Sequence, residues 1–253
     1  MIYVNADATL KANGTYYLSK TNGLLPQGKY PFDSNCILQL NGWFTCDQGT
    51  TYYQDGVMHG AGWDNIGDSF YYFDSNGYIV TGMVRVPYPA AELLPGYGPD
   101  AEDAEVNVPG KEGNPDNYDY PDRESALFVF DKNGVFQKDQ CGVYDDNGIT
   151  RWINNGMLVW HAGLVKDGDD YRYFKRNGMV TSVETYVAKT NGLLKAAKYT
   201  FDAEGRLMKL EGLHEDLNGN LCYYVDYVKN YAGLVEVDGS FYYIASDLKA
   251  VKN

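Results

Sequence analysis

One passage of about 70 residues is written three times in this chain, and each writing is a run of short aromatic hairpins. Tyr17-Leu18-Ser19-Lys20-Thr21-Asn22-Gly23-Leu24-Leu25 returns as Tyr186-Val187-Ala188-Lys189-Thr190-Asn191-Gly192-Leu193-Leu194. Lys29-Tyr30-Pro31-Phe32-Asp33 returns as Lys198-Tyr199-Thr200-Phe201-Asp202. Repetition on this scale means a stacked array in which each unit covers its neighbour's apolar face. It also moves the search for function from one pocket to a repeated surface. The 24 tyrosines and 28 glycines suit short strands and tight turns, and no long helical periodicity competes with them.

The strongest turn signals are Asp55-Gly56, Asp74-Ser75-Asn76-Gly77, Asp131-Lys132-Asn133-Gly134, Asn154-Asn155-Gly156 and Lys175-Arg176-Asn177-Gly178. They divide each copy into about four hairpins, beginning with Tyr16 to Leu25 in the first copy and Tyr186 to Leu194 in the third. The fold expected is all-β: a β-hairpin solenoid of about twelve short hairpins in three homologous copies. Copy one runs over about 13–82, copy two over about 83–182 and copy three over about 183–253. Near the end, Ala245-Ser246-Asp247-Leu248 stands where earlier turns carry glycine, as an end cap or a truncated array would.

One Pro-rich, acidic segment interrupts copy two. Pro87, Pro89, Pro95, Pro99, Pro109, Pro115 and Pro121 are seven of the nine prolines in the chain. Glu92-Leu93-Leu94-Pro95 matches Gly23-Leu24-Leu25-Pro26, which places the insertion at about 96–125. Such a stretch forms neither a central strand nor a helix; it is a surface or disordered loop, or a binding loop.

The net charge of -13 disfavours nucleic acid and anionic membrane surfaces as partners. There is no apolar run long enough to span a membrane, and Met1–Asp7 lacks the basic start and apolar centre of a signal peptide. Cys36, Cys46, Cys141 and Cys222 lack metal-ligand spacing; Cys36 and Cys46 could pair, or all could be free thiols. Asp145-Asp146-Asn147-Gly148 and Asp216-Leu217-Asn218-Gly219-Asn220 look like fragments of calcium loops. Neither has the glycine at the sixth place or the acid at the twelfth, so both read as turns and no metal is expected. No nucleophile elbow, zinc-protease motif or phosphate loop occurs, and His59, His161 and His214 are isolated. The expectation is a binding protein, not an enzyme, with no cofactor.

Gly62-Trp63, Phe70-Tyr71-Tyr72-Phe73-Asp74-Ser75-Asn76-Gly77-Tyr78 and Thr81-Gly82 together resemble the cell-wall-binding repeat family, the choline-binding and glucan-binding repeats of Gram-positive surface proteins. Gly163-Leu164 with Tyr171-Arg172-Tyr173-Phe174 and Asn177-Gly178-Met179 is a second such run, and Gly233-Leu234 with Phe241-Tyr242-Tyr243-Ile244 a third. The resemblance implies a secreted or surface location and a cell-wall polysaccharide or glucan as partner. In choline-binding members, two Trp and a Tyr from successive hairpins cage a quaternary ammonium by cation–π attraction. Here the first position holds Trp43 and Trp63 but Leu164 and Leu234 later, and the second holds Phe70, Tyr171 and Phe241. That substitution argues against choline. Sugar stacking asks only for an exposed ring with polar neighbours. Adjacent strand residues face opposite sides, so each Tyr-Tyr pair should turn one ring inward and one outward. The candidate platforms are Trp63, Phe70, Tyr72, Trp152, Trp160, Tyr171 and Tyr173. The alternative role is a structural spacer, or a protein-binding adhesin whose 96–125 insertion carries recognition.

Overall fold

A computed structural model describes residues 1–5, 8–97, 124–159 and 161–251. Every regular element among them is a β-strand. Of these residues, those up to 97 and Glu124–Asp139 form one compact unit, and those from Gln140 onward form a second.

In the first unit, β1 (Gly14–Leu18) pairs with β2 (Gly28–Phe32). Then β3 (Gly42–Cys46), β4 (Gly49–Gln54) and β5 (Val57–Met58) form a meander. β6 (Gly62–Ile66) pairs with β7 (Ser69–Phe73), and β8 (Gly82–Pro87) with β9 (Ser125–Phe130). In the second unit, β10 (Gly142–Asp146), β11 (Ile149–Asn154) and β12 (Met157–Val159) form one meander. β13 (Gly163–Asp167), β14 (Asp170–Lys175) and β15 (Gly178–Met179) form the next. β16 (Val183–Val187) pairs with β17 (Ala197–Phe201). β18 (Gly212–Glu215), β19 (Leu221–Val225) and β20 (Val228–Lys229) form a third meander, and β21 (Gly233–Val237) pairs with β22 (Ser240–Ile244). The architecture is the all-β hairpin repeat that the sequence predicts.

Strand pairing sorts the hairpins into two kinds. β1–β2, β8–β9 and β16–β17 share one register, with Gly14↔Phe32, Gly82↔Phe130 and Val183↔Phe201 as terminal pairs. A loop joins the two strands of each; we call these latch hairpins. Each latch is followed along the chain by two modules that open on a Gly-x strand. This corrects the expected hairpins Tyr16 to Leu25 and Tyr186 to Leu194. In both, the outgoing strand does not fold back at Lys-Thr-Asn-Gly. Asn22 and Gly23, and Asn191 and Gly192, take positive φ, and Leu24 and Leu193 N–H close a turn onto Thr21 and Thr190 O. That turn lies inside a longer loop, and the partner strand comes only after it. The insertion occupies the same loop of the second latch: Tyr88 N–H donates to Glu124 O at 2.9 Å just beyond the last strand pair, Pro87↔Ser125. Most of the insertion, 98–123, lies outside the described residues.

A second loop recurs after each latch hairpin, after the β6–β7 module and between β18 and β19. Asp33, Asp74, Asp131, Asp202 and Asp216 each accept, on one carboxylate oxygen, the N–H groups two and four residues on. The fourth residue of the loop donates to the first residue's carbonyl and holds positive φ, as in Gly77 at 81° and Gly134 at 77°. The supposed calcium fragment at Asp216 is one of these turns. The 245–249 turn survives without glycine: Leu248 takes φ 66° and Leu248 N–H still reaches Ala245 O. The residue after four of these loops then hooks a neighbouring hairpin. Ile79, Phe136, Leu207 and Ala250 N–H donate to Thr50, Phe70, Tyr171 and Leu221 O at 2.7 to 2.9 Å. These bonds, with the rings between them, stack one hairpin on the next inside each unit.

Tyr53, Phe73, Phe128, Phe174, Phe201 and Tyr224 are fully buried in the seams. Burying such a ring contributes about 2 to 3 kcal/mol, the main return for an array without a central core. The four cysteines are free.

Candidate functional site

The second residue of each module's first strand is a cross-strand partner of one ring of the second strand: Trp43↔Tyr52, Trp63↔Tyr72, Val143↔Trp152, Leu164↔Tyr173, Leu213↔Tyr223 and Leu234↔Tyr243. The pleat gives this pair one face of the hairpin and sends Tyr53, Phe73, Phe174, Tyr224 and Ile244 to the buried side. Each Tyr-Tyr or Tyr-Phe pair of the first unit is thereby split between inside and outside.

Trp63 and Tyr72 meet edge to face at 5.6 Å, but Trp63 is hemmed in. Phe128, Phe130 and Phe136 lie at 5.0, 5.4 and 5.3 Å from it, and its indole N–H donates to Pro87 O. It fills the seam between module and latch and leaves only part of itself to solvent. Phe70 and Tyr171 occupy equivalent strand positions, and each carries a lysine ammonium over its ring, Lys138 at 5.8 Å and Lys209 at 5.5 Å. A resident cation on the ring face competes with any ligand cation there. Tyr173 is 4% exposed and stacks on Phe201, so it is a core ring that offers no face to a ligand. Trp152 packs on Phe174 at 5.6 Å, and the crevice beside it, between Arg151, Val159 and Lys175, is too narrow for water. Trp160 lies outside the described residues.

One partly open aromatic cluster lies around Trp43, which the candidate rings did not include. Trp43 is 42% exposed. It sits 5.2 Å from Tyr52 and 4.7 Å from Tyr71, and parallel to Phe73 at 6.3 Å. His59 stacks on the same Phe73 at 4.0 Å and meets Asp64 through Nε2 at 2.6 Å. Both His59 nitrogens face oxygen, since Nδ1 lies 2.7 Å from Gly60 O. An exposed indole and the imidazole of a carboxylate–imidazole pair thus stack on one buried ring, Phe73. The signal was present, because Gly42-Trp43 repeats Gly62-Trp63. Exposure separated the two, and exposure depends on what the next hairpin places over the ring.

The same unit has an open groove of about 610 Å³ lined by Thr15, Lys29, Gln48, Asp74, Asn76 and Tyr78, among others. Its size suits a sugar unit, and its walls are mostly hydrogen-bonding side chains. Tyr78 stands at its edge with its phenol pKa pushed up to about 12, first by burial and then by Cys46. The phenol is therefore a neutral donor and acceptor at physiological pH. No group of three or more His, Cys, Asp or Glu among the described residues could hold a metal ion.

No protein-family model and no curated protein matches the sequence. Solved structures do. Choline binding protein F of Streptococcus pneumoniae is 16% identical, with 84% of this chain and 80% of that one aligned at a TM-score of 0.42. The modular autolysin LytC of Streptococcus pneumoniae is 15% identical over all of this chain and 51% of its own, at 0.41. The pneumococcal cell-wall endolysin from phage Cp-1, solved with choline, is 16% identical over 73% of this chain and 43% of its own, at 0.34. This chain spans about half the length of the autolysin. At overlaps this loose, no residue role passes from those proteins to this one.

Proposed function

We propose that this chain is a non-catalytic, extracellular module that binds cell-wall polysaccharide or glucan through shallow sites on its hairpin array. The observation that carries the reading is the Trp43 cluster: an exposed indole held rigid by Tyr52, Tyr71 and Phe73, with the His59–Asp64 pair stacked on the same Phe73. A pyranose face rests on such a ring, and its hydroxyls find the carboxylate and imidazole. The polar groove at Thr15, Gln48 and Asn76 supplies a second place for a sugar. Trp63, Phe70, Tyr72, Trp152 and Tyr171 contribute partly covered rings, and the array sums weak contacts into useful affinity. Choline fits less well, because resident lysines already occupy the faces of Phe70 and Tyr171.

The test is co-sedimentation with Gram-positive cell walls and with insoluble α-glucan, with free choline as competitor. Pelleting that choline leaves unchanged, and that Trp43→Ala abolishes with the β-sheet circular dichroism intact, supports the reading. Pelleting that choline relieves would replace the glycan with a quaternary ammonium. No pelleting would refute a wall ligand and leave the adhesin reading, for which the clamp of Tyr88 on Glu124 provides a fixed base for the inserted segment. Deleting 98–123 and measuring both glycan and protein binding separates the two.

A further inference from the structure

The β16–β17 latch shows what a latch does. Its Leu-side cluster of Val187, Tyr199, Phe201 and Leu207 closes over Leu164 and Tyr173 of the β13–β14 module, and Leu164 is 0% exposed. The loop between its strands then grips the backbone. Lys189 donates its ammonium to His161 O, Asn191 Nδ2 donates to Ala162 O and Leu164 O at 2.6 and 2.9 Å, and Leu164 N–H donates to Lys189 O at 2.8 Å. Gly163, with φ 76°, is needed there because a Cβ would stand 2.6 Å from Lys189 O.

Both halves of this contact occur a second time, each of them exposed. The gripped segment Ala162-Gly163-Leu164-Val165 is repeated as Ala232-Gly233-Leu234-Val235 in β21. No latch covers it: Leu234 is 62% exposed and its partner Tyr243 57%, against 0% and 4% for Leu164 and Tyr173. The gripping segment Lys189-Thr190-Asn191-Gly192-Leu193-Leu194 is repeated as Lys20-Thr21-Asn22-Gly23-Leu24-Leu25, where Lys20 and Asn22 are exposed. Behind it, Leu18, Tyr30, Phe32 and Leu38 form a cluster equivalent to that of the third latch. Residues 1–4 lie over this cluster in the place of β14. Met1 O accepts Leu38 N–H as Tyr171 O accepts Leu207 N–H, and Tyr3 packs on Phe32 at 6.5 Å as Tyr173 packs on Phe201 at 6.1 Å. The place of β13 is empty. It is a cavity of about 220 Å³ lined by Tyr3, Leu18, Asn22, Leu25 and Phe32, among others.

We propose that β21–β22 of one copy docks under the β1–β2 latch of a second copy, displacing residues 1–4, so that chains join head to tail. Asn22 then donates to Ala232 O and Leu234 O, and Lys20 to Tyr231 O. Tyr231, whose hydroxyl donates to Leu234 O at 3.1 Å, swings aside to admit them. The contact is heterologous and does not close a dimer, so it extends into chains of copies. The charge of -13 on each copy opposes it, and salt strengthens it by screening.

Sedimentation velocity over a concentration series tests this on the whole chain. The wild type is expected to grow past dimer with concentration, more so at higher salt. Asn22→Ala and Leu234→Asp, both at exposed positions, are each expected to weaken association by about tenfold or more. Mixed together, they retain one intact head and one intact tail, and should form a heterodimer that grows no further. Deleting residues 1–4 should tighten wild-type association, and Tyr3→Ala, which loosens the same cover without shortening the chain, should act in the same direction. A wild type that stays monomeric throughout, including one whose β21–β22 face is protected only by a glycan or an unrelated protein, overturns the proposal. So does association that neither point variant weakens.

Discussion

Replacing Asp216 by Asn removes one charge from a loop that depends on it. Asp216 Oδ1 accepts the N–H groups of Asn218 and Asn220 at 3.0 and 2.9 Å, and Oδ2 receives Lys229 Nζ at 3.2 Å. Lys229 also holds Glu184 at 3.0 Å, and the Asp216 and Lys229 side chains are only 6% and 17% exposed. Burial pushes the Asp216 pKa up, but the Asn220 and Asn218 N–H groups and the Lys229 ammonium outweigh it and bring the pKa from 3.8 to about 2. At about 1.4 kcal/mol per unit this linkage is worth about 2 kcal/mol at neutral pH. The folded pKa lies below the unfolded one, so the stabilisation is complete above about pH 4. It falls with pH, reaching about 0.4 kcal/mol near pH 2. Lys229 works at the other end: its pKa is raised by Glu184 and Asp216 despite desolvation, so its share is lost only as pH climbs beyond the ordinary lysine range. Hydrogen exchange of Leu221–Val225, corrected for intrinsic rate, should be about 25-fold faster in Asp216→Asn than in the wild type at pH 7. The gap should close as pH approaches 2. A carbon NMR titration of the Asp216 carboxyl should give a midpoint near 2. A midpoint near 4, or a gap that does not change between pH 7 and 2, would refute the reasoning.

Cys36 and Leu248 hold φ 62° and 66° at the loop position where the other copies carry glycine. Cys36→Gly and Leu248→Gly should therefore each be neutral to stabilising by up to about 1 kcal/mol in thermal or urea unfolding. Gly77→Ala should cost about 2 to 4 kcal/mol, because at φ 81° its Cβ would stand 2.4 Å from the His59 carbonyl; chemical denaturation followed by tryptophan fluorescence reads this directly. Asn191→Ala strips both donors from Ala162 O and Leu164 O and should loosen β13 by about 1 to 3 kcal/mol, seen as faster exchange of Leu164 N–H. Trp43→Ala should cut wall or glucan affinity by about tenfold or more, whereas Tyr173→Ala should lower the melting temperature first, since that ring is core.

Turn chemistry and alternation were local and therefore legible. The Asp-x-x-Gly runs from Asp74, Asp131, Asp202 and Asp216 set the capped loop from within, and each Tyr-Tyr pair must split between two faces because the strand period is two. The repeat itself and the all-β class follow from residues that need no distant partner to be read. Whether a strand's mate is the next segment or one after a loop was not local. Tyr16 to Leu25 has the residues of a hairpin, yet its strand mates with Gly28–Phe32 because the pairing that buries Leu18 with Tyr30 and Phe32 outweighs the shorter closure. Which ring stays open was not local either. Gly42-Trp43 and Gly62-Trp63 are the same motif, and only the Phe128, Phe130 and Phe136 rings brought in by β9 and the loop after it cover the second. Likewise Leu164 and Leu234 sit in identical segments, one buried under a latch and the other bare. Sequence alone set each hairpin's shape and its inward face, since φ preferences and pleat alternation act within a few residues. Tertiary structure decided what covers that hairpin, because burial belongs to a pair of surfaces and only one of them is written in any one repeat.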